Sequence, residues 1–138
     1  MRYNVVTVDY DDTLLFHQWT LERGIIDWRV NAGLVRKLRQ MIAQGTVVYV
    51  VTARDPAFEE DTPFATPPYR FVKEQGLNIS GLYYTCGEYK ADMLVQLKSE
   101  LHFDDNEEEL LMIQAKAPWI ERVRIVQPER QRTRLGFA

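Results

Sequence analysis

With 138 residues, 46% of them apolar, the chain has enough material for one domain with a real core, residues 1–138, and too little for two. A net charge of -3 speaks against a protein that coats nucleic acid, although residues 121–138 hold five arginines against two glutamates and leave a local basic edge. Cys86 is the one cysteine, so no internal disulfide forms; with no long apolar span and no signal-like N-terminus, a reducing cytoplasm and no membrane are expected.

Residues 3–14 read YNVVTVDYDDTL, a valine-rich run that turns polar where a buried parallel strand would end. Asp9, Asp11 and Thr13 then stand at the strand's carboxyl end, the edge where open α/β sheets bind ligands, and their oxygens suit a hard cation and a phosphate. The plain alternative is an acidic turn after a core strand. An EF-hand loop fits worse, because it needs Gly at the sixth position and Glu at the twelfth, where Leu14 and Thr20 stand.

Residues 14–28 mix Phe16, Trp19, Ile25, Ile26 and Trp28 with polar residues around Arg23 and Gly24, the pattern of a short hairpin projecting over that edge. Asn31 is a candidate cap for a helix in which Leu34, Val35, Leu38, Met41 and Ile42 recur at helical spacing up to Gly45; Arg36, Lys37 and Arg39 belong to its solvated face. TVVYVV, residues 46–51, is a second buried strand, and it ends in Thr52, Ala53 and Arg54. Residues 55–68 hold four of the six prolines together with Glu59, Glu60 and Asp61, so a long restrained loop leaves the same edge as Asp9, either as a substrate loop or as a connector.

A short helix over 69–75, closed by Gly76, and a modest third strand over 81–85 follow. Lys90 opens the next helix, which buries Met93, Leu94 and Leu97; a lysine there opposes the macrodipole and points to an anionic partner, unless it is an exposed surface charge. Residues 101–103 form a short strand ending in Asp104 and Asp105, one of which is a possible cap, and Asn106 with Glu107, Glu108 and Glu109 begins a helix whose acids suit its dipole. A last strand over 120–126 precedes the arginine-rich tail. Strands alternating with helices in this way predict an α/β fold, a doubly wound parallel sheet with helices on both faces, a small hairpin flap and no large cap domain. Thr52, Asp104 and Asp105 then join Asp9 and Asp11 at one edge. Four carboxylates there need cations, and a magnesium ion and Lys90 are the obvious suppliers. The set matches phosphoryl transfer, in which metal and lysine neutralise phosphate oxygens while a carboxylate attacks phosphorus.

The ordered motifs VVTVDYDDTL, VVYVVTAR, the lysine of GEYKADML and LHFDDNEEEL resemble those of haloacid dehalogenase superfamily phosphohydrolases. The resemblance spans residues 5–110 and implies Asp9 as nucleophile, Asp11 as general acid/base, Thr52 as phosphate ligand and Lys90 as the charge-compensating lysine. It also implies a magnesium site made by Asp9, Asp104 and the backbone carbonyl of Asp11, with Asp105 bound through water or orienting the site. Asp12 stands where the family usually has glycine, a small departure. The gaps between Thr13 and Thr52 and between Thr52 and Lys90 are too short for a large cap, so the site is expected to be open. Within the superfamily the chain looks like the phosphatase domain of polynucleotide kinase 3'-phosphatases, in which the arginine after the threonine touches substrate phosphate. Arg54 is the matching residue here, with Thr13 as a second substrate-side group. The implied substrate is a phosphorylated one, either the 3' end of a nucleic acid strand or a nucleotide, with a small-metabolite or 5'-nucleotide phosphatase as the alternative.

Two readings of other classes compete. A signalling receiver also combines acids, threonine and lysine on a doubly wound sheet, but it carries its acidic pair early and its phosphoacceptor on a middle strand, whereas here D-x-D-x-T comes first and the acidic pair last. A catalytically silent phosphate-binding module would not need every catalytic residue type, and all are present. Cys86 reads as a small core residue, His17 as a chance surface histidine rather than a flap residue near the site, and His102 as structural inside its strand. Neither histidine has the partners of a zinc site.

Overall fold

Val5, Val6 and Val8 are β-branched and apolar, and they make the first strand, β1 (Val5–Val8), whose last three residues are buried. The computed structural model describes residues 2–20, 25–59 and 66–128. After β1 come a hairpin of β2 (Leu15–Thr20) and β3 (Ile25–Val30), then α1 (Ala32–Ala43), β4 (Val47–Thr52) and a single 3-10 turn, Pro56–Phe58. The chain continues through α2 (Pro68–Glu74), β5 (Gly81–Tyr84), α3 (Ala91–Gln96), β6 (Leu101–Asp104), α4 (Glu107–Lys116) and β7 (Glu121–Arg124).

Among the described residues five strands form one sheet in the order β5-β4-β1-β6-β7, all parallel, and β2 and β3 pair only with each other as an antiparallel ribbon. In the central register Val6 stands opposite both Val48 and Leu101, and Val8 opposite both Val50 and Phe103. Because successive side chains on a strand face opposite ways, these residues share one face. There Leu34, Val35 and Leu38 of α1 and Phe71 and Val72 of α2 cover them. The other face is covered by α3 and α4, whose Ala91, Leu94 and Ile113 pack with Val51, Ala117 and Ile120. The doubly wound sheet expected from the alternation of elements is the one observed. No large cap interrupts it among the described residues, and no described helix is long and apolar enough to cross a membrane.

Local chemistry sets the boundaries. The Asn31 side chain accepts the amide of Leu34 at 3.3 Å and caps α1, while Gly45, at φ 96°, lets the chain leave it in the left-handed region. Cys86 departs from its reading as a core residue. It lies exposed in the turn after β5 at φ 53°, because the chain reverses there, with the Gly87 amide on the Ala53 carbonyl at 2.8 Å, and points its side chain outward. Residues 60–65 of the proline-rich loop, and Arg130, Arg132 and Arg134 of the tail, lie outside the described residues.

Candidate active site

Parallel strands that all run the same way deliver their carboxyl ends to one edge. Asp9 follows β1, Thr52 ends β4 and Asp104 ends β6, the two strands that flank β1. Into this edge Lys90, the residue capping α3, extends its side chain. Its Nζ donates to Asp9 Oδ1 at 2.8 Å and to Asp104 Oδ2 at 2.8 Å, and Glu109 Oε2 stands 4.0 Å away. The Thr13 hydroxyl donates to Asp9 Oδ2 at 3.0 Å and reaches Asp105 Oδ1 at 3.3 Å. Asp9, Thr13, Lys90, Asp104 and Asp105 are thus one connected group, and all but Asp105 are buried.

Burial is the first influence on every charge here. It pushes the Asp9 carboxyl well above the usual carboxylate range; the pull of Lys90 opposes it, and repulsion from Asp104 and a shared hydrogen bond with Asp105 reinforce it. Asp105 is raised by burial as well. Asp104 goes the other way. Burial pushes it up, but the hydrogen bond from His102 and the charge of Lys90 outweigh that and hold it below the ordinary range. Burial alone would lower Lys90, yet Asp9 and Asp104 together raise it, so its ammonium is firmly charged.

One ligand oxygen from each of Asp9, Asp104 and Asp105 lies within 4.8 Å of the others. Three carboxylates face one lysine there, so in their ionised form negative charge is in excess. An all-oxygen set of this size with surplus charge fits a hard divalent cation.

Asp11 belongs to a second cluster beside the first. Arg54 grips it with two bonds, Nε to Oδ2 at 2.8 Å and Nη2 to Oδ1 at 2.7 Å, and Arg54 Nη1 bonds Glu59 Oε2 at 2.9 Å. The guanidinium also stacks over the Tyr10 ring at 5.0 Å. Thr52 is buried, and its hydroxyl accepts the Arg54 amide at 3.3 Å, which ties the threonine to this cluster. Asp12 sits at φ 58°, a left-handed position that aspartate tolerates far better than most residues, and this explains why the turn closes without the usual glycine. Its Oδ1 accepts the His17 amide at 3.0 Å.

His17 corrects its reading as a chance surface residue. The hairpin folds back over the edge, held by the Asn31 side chain on the Thr13 carbonyl at 2.9 Å, and carries the imidazole to 3.6 Å from Asp11 and edge-on to Trp28. Sequence reasoning also missed Glu59, Glu109 and the contacts of His102. Asn106 and Glu109 have the spacing of a capping box, and the Asn106 side chain does accept the Glu109 amide at 3.1 Å. The Glu109 carboxylate, however, leaves its own helix and accepts the Lys90 amide at 3.0 Å, fixing the start of α3. Only the position of α4 against α3 could have revealed that.

No protein-family model matches the sequence, and no curated protein matches it. Solved structures do. A chain of the Pnkp1/Rnl/Hen1 complex superposes with a TM-score of 0.64 at 16% identity, over 89% of this chain and 45% of that one. A hypothetical protein from Xanthomonas campestris gives 0.58 at 18% identity, over 89% of this chain and 64% of that one. The 3-deoxy-D-manno-octulosonate 8-phosphate phosphatase of Moraxella catarrhalis, solved with magnesium, phosphate and its sugar acid, gives 0.53 at 18% identity, over 81% and 63%. The chain therefore spans less than two thirds of the length of each. At such identities the likeness is one of fold: the doubly wound parallel sheet predicted from the sequence is the fold this chain shares with these structures.

Proposed function

We propose that the chain is a magnesium-dependent phosphomonoester hydrolase that works through an aspartyl-phosphate intermediate and acts on 3'-phosphate ends of nucleic acid strands or on nucleotides. The observation that carries the chemistry is Lys90 Nζ shared at 2.8 Å between Asp9 and Asp104, a buried cation held against the attacking carboxylate and its neighbour. Asp9 attacks phosphorus as the bond to the leaving oxygen breaks, and Asp11 gives that oxygen its proton. A water, deprotonated by Asp11, then attacks the phosphoryl group and frees Asp9. Thr52 and Lys90 hold phosphate oxygens, and Thr13 fixes the Asp9 carboxylate. A phosphate entering the edge offers Arg54 an anion to bind other than Asp11.

Asp9, Asp104 and the backbone carbonyl of Asp11 would hold the magnesium ion, with Asp105 bound through water. That cation supplies the positive charge that keeps Asp9 ionised and the phosphate oxygens neutralised. Burial raises the Asp9 carboxyl, and a cation bound beside it would act in the opposite direction.

The substrate reading rests on the Thr52-Ala53-Arg54 sequence, the open edge and the likeness to a chain of the Pnkp1/Rnl/Hen1 complex. The likeness to a sugar-acid phosphatase favours a second reading, a small-metabolite phosphatase. We place the protein in the cytoplasm as one unit over residues 1–138, in keeping with its lone cysteine. Specificity constants measured with magnesium decide between the substrates, using a 3'-phosphorylated oligonucleotide, a 5'-phosphorylated one, a mononucleotide, a sugar phosphate and p-nitrophenyl phosphate. The 3'-phosphorylated strand is expected to lead. A mononucleotide or sugar phosphate that equals it replaces end recognition with the small-metabolite reading, and no turnover of any member removes the hydrolase.

A further inference from the structure

Behind the cluster of carboxylates runs a buried chain of polar side chains that the reaction itself does not use. The Ser99 and Thr7 hydroxyls lie 2.7 Å apart, Thr7 Oγ1 lies 2.8 Å from His102 Nδ1, and His102 Nε2 lies 2.9 Å from Asp104 Oδ2. All four residues are at most 3% exposed, and Thr7 and His102 lie on the face of the sheet whose apolar cluster is Val51, Ala91, Leu94, Ile113, Ala117 and Ile120. Four polar groups taken out of water there cost stability unless each is satisfied, so their presence calls for a reason beyond packing.

The direction of the chain follows from its last member. An ionised Asp104 only accepts, so His102 Nε2 must carry the hydrogen. A neutral imidazole then has Nδ1 as acceptor, which obliges Thr7 to donate to it and leaves Ser99 to donate to Thr7. We infer that His102, oriented by Thr7 and Ser99, is a positioning residue that aims the Asp104 carboxylate at the divalent cation. The geometry of Asp104 says how. Its Oδ2 takes two donors, His102 at 2.9 Å and Lys90 at 2.8 Å, which fills both lone pairs. Its Oδ1 takes one, the Asn106 amide at 3.0 Å, and keeps the remaining lone pair for a metal. Without His102 a lone pair of Oδ2 opens beside Lys90, so that either oxygen can face the cation and only Lys90 and the Asn106 amide orient the carboxylate. Partners of this kind around a ligand typically carry ~10- to 100-fold in metal affinity. The role rests on the magnesium reading proposed above, and it reaches past it by assigning a function to three residues that touch neither metal nor substrate.

The test is calorimetric titration of the metal-free protein with magnesium chloride, without substrate, alongside thermal unfolding of each variant in chelator. His102→Phe keeps a ring and removes both nitrogens; Thr7→Val keeps the shape and removes the hydroxyl; Thr7→Ser and His102→Gln restore the respective donors. Magnesium affinity is expected to fall ~10- to 100-fold in His102→Phe and severalfold in Thr7→Val, and to stay within about threefold of the parent in the two conservative variants. Should His102→Phe not fold, Thr7→Val against Thr7→Ser decides. A folded His102→Phe or Thr7→Val that binds magnesium like the parent overturns the inference, as does a lowered melting temperature with unchanged affinity. Failure of the parent to bind magnesium defeats the metal reading itself, an outcome seen before any variant is compared.

Discussion

Replacing Lys90 by methionine keeps an unbranched side chain one atom shorter and removes its charge from the most crowded part of the site. Lys90 is 3% exposed, and its ammonium answers two buried carboxylates at 2.8 Å each. Removing one partner of such a buried arrangement costs ~3–5 kcal/mol, because the charges left behind have neither water nor a counterion. For a chain of 138 residues, in which about 1 kcal/mol moves the melting temperature by 3–4 °C, the expected fall is ~10–20 °C in excess chelator. The pH dependence has a definite sign. Asp9 is already raised above its unfolded value by burial, and losing Lys90 raises it further, so its contribution favours the folded state when protonated and is lost as pH rises through the folded value. Acidification from neutrality should therefore narrow the gap between Lys90→Met and the parent. Differential scanning calorimetry across pH in chelator measures both effects. A fall below ~3 °C, or a gap that widens on acidification, would refute the view of Lys90 as the counterion of a buried carboxylate pair.

Asp9→Asn should abolish turnover with the fold intact, since it removes the carboxylate proposed as nucleophile at nearly constant volume, and Asp11→Asn should lower kcat by ~10²- to 10⁴-fold; unaltered hydrolysis by the first, or a loss below tenfold in the second, counts against these proposed roles. Activity should vanish in chelator, return with magnesium and return poorly with calcium, whose looser coordination disturbs an in-line attack; full activity in excess chelator sinks the metal assignment. Leu38→Ala, at a fully buried position of α1, should cost ~2–5 kcal/mol in denaturant unfolding, and a cost under ~1 kcal/mol would mean that α1 does not seal that face of the sheet.

The strands were legible because a buried parallel strand has no polar side to disguise it: VVTV and TVVYVV read as apolar runs, and the acids that follow them mark the edge. The cluster of Asp9, Lys90 and Asp104 was legible for a related reason, since four motifs in a fixed order require one sheet to bring them together. What escaped notice depends on how elements lie against each other. The hairpin pattern around Arg23 and Gly24 does not say that the ribbon folds back far enough to set His17 beside Asp11. Glu109 looks like a helix-start acid until α4 is placed next to α3. His102 reads as an ordinary strand residue, because period-two alternation tells which face it takes and not that Thr7 and Ser99 wait there. Cys86 was misjudged because a small apolar residue after a strand resembles core, while its left-handed turn is set by the return of residues 86 and 87 to the Ala53 and Arg54 carbonyls.

The position of β1 in the middle of the sheet has a consequence for amide exchange. Its peptide groups bond to β4 on one side and β6 on the other, so opening them requires two ladders to part, an event close to whole-chain unfolding. Among the described residues the β2–β3 ribbon pairs with no other strand, and separating it breaks none of the bonds of the five-stranded sheet. Deuterium should therefore enter the ribbon through local openings long before it enters residues 5–8. On this expectation Asp9 stands just past the slowest-exchanging strand and His17 on the ribbon that exchanges early.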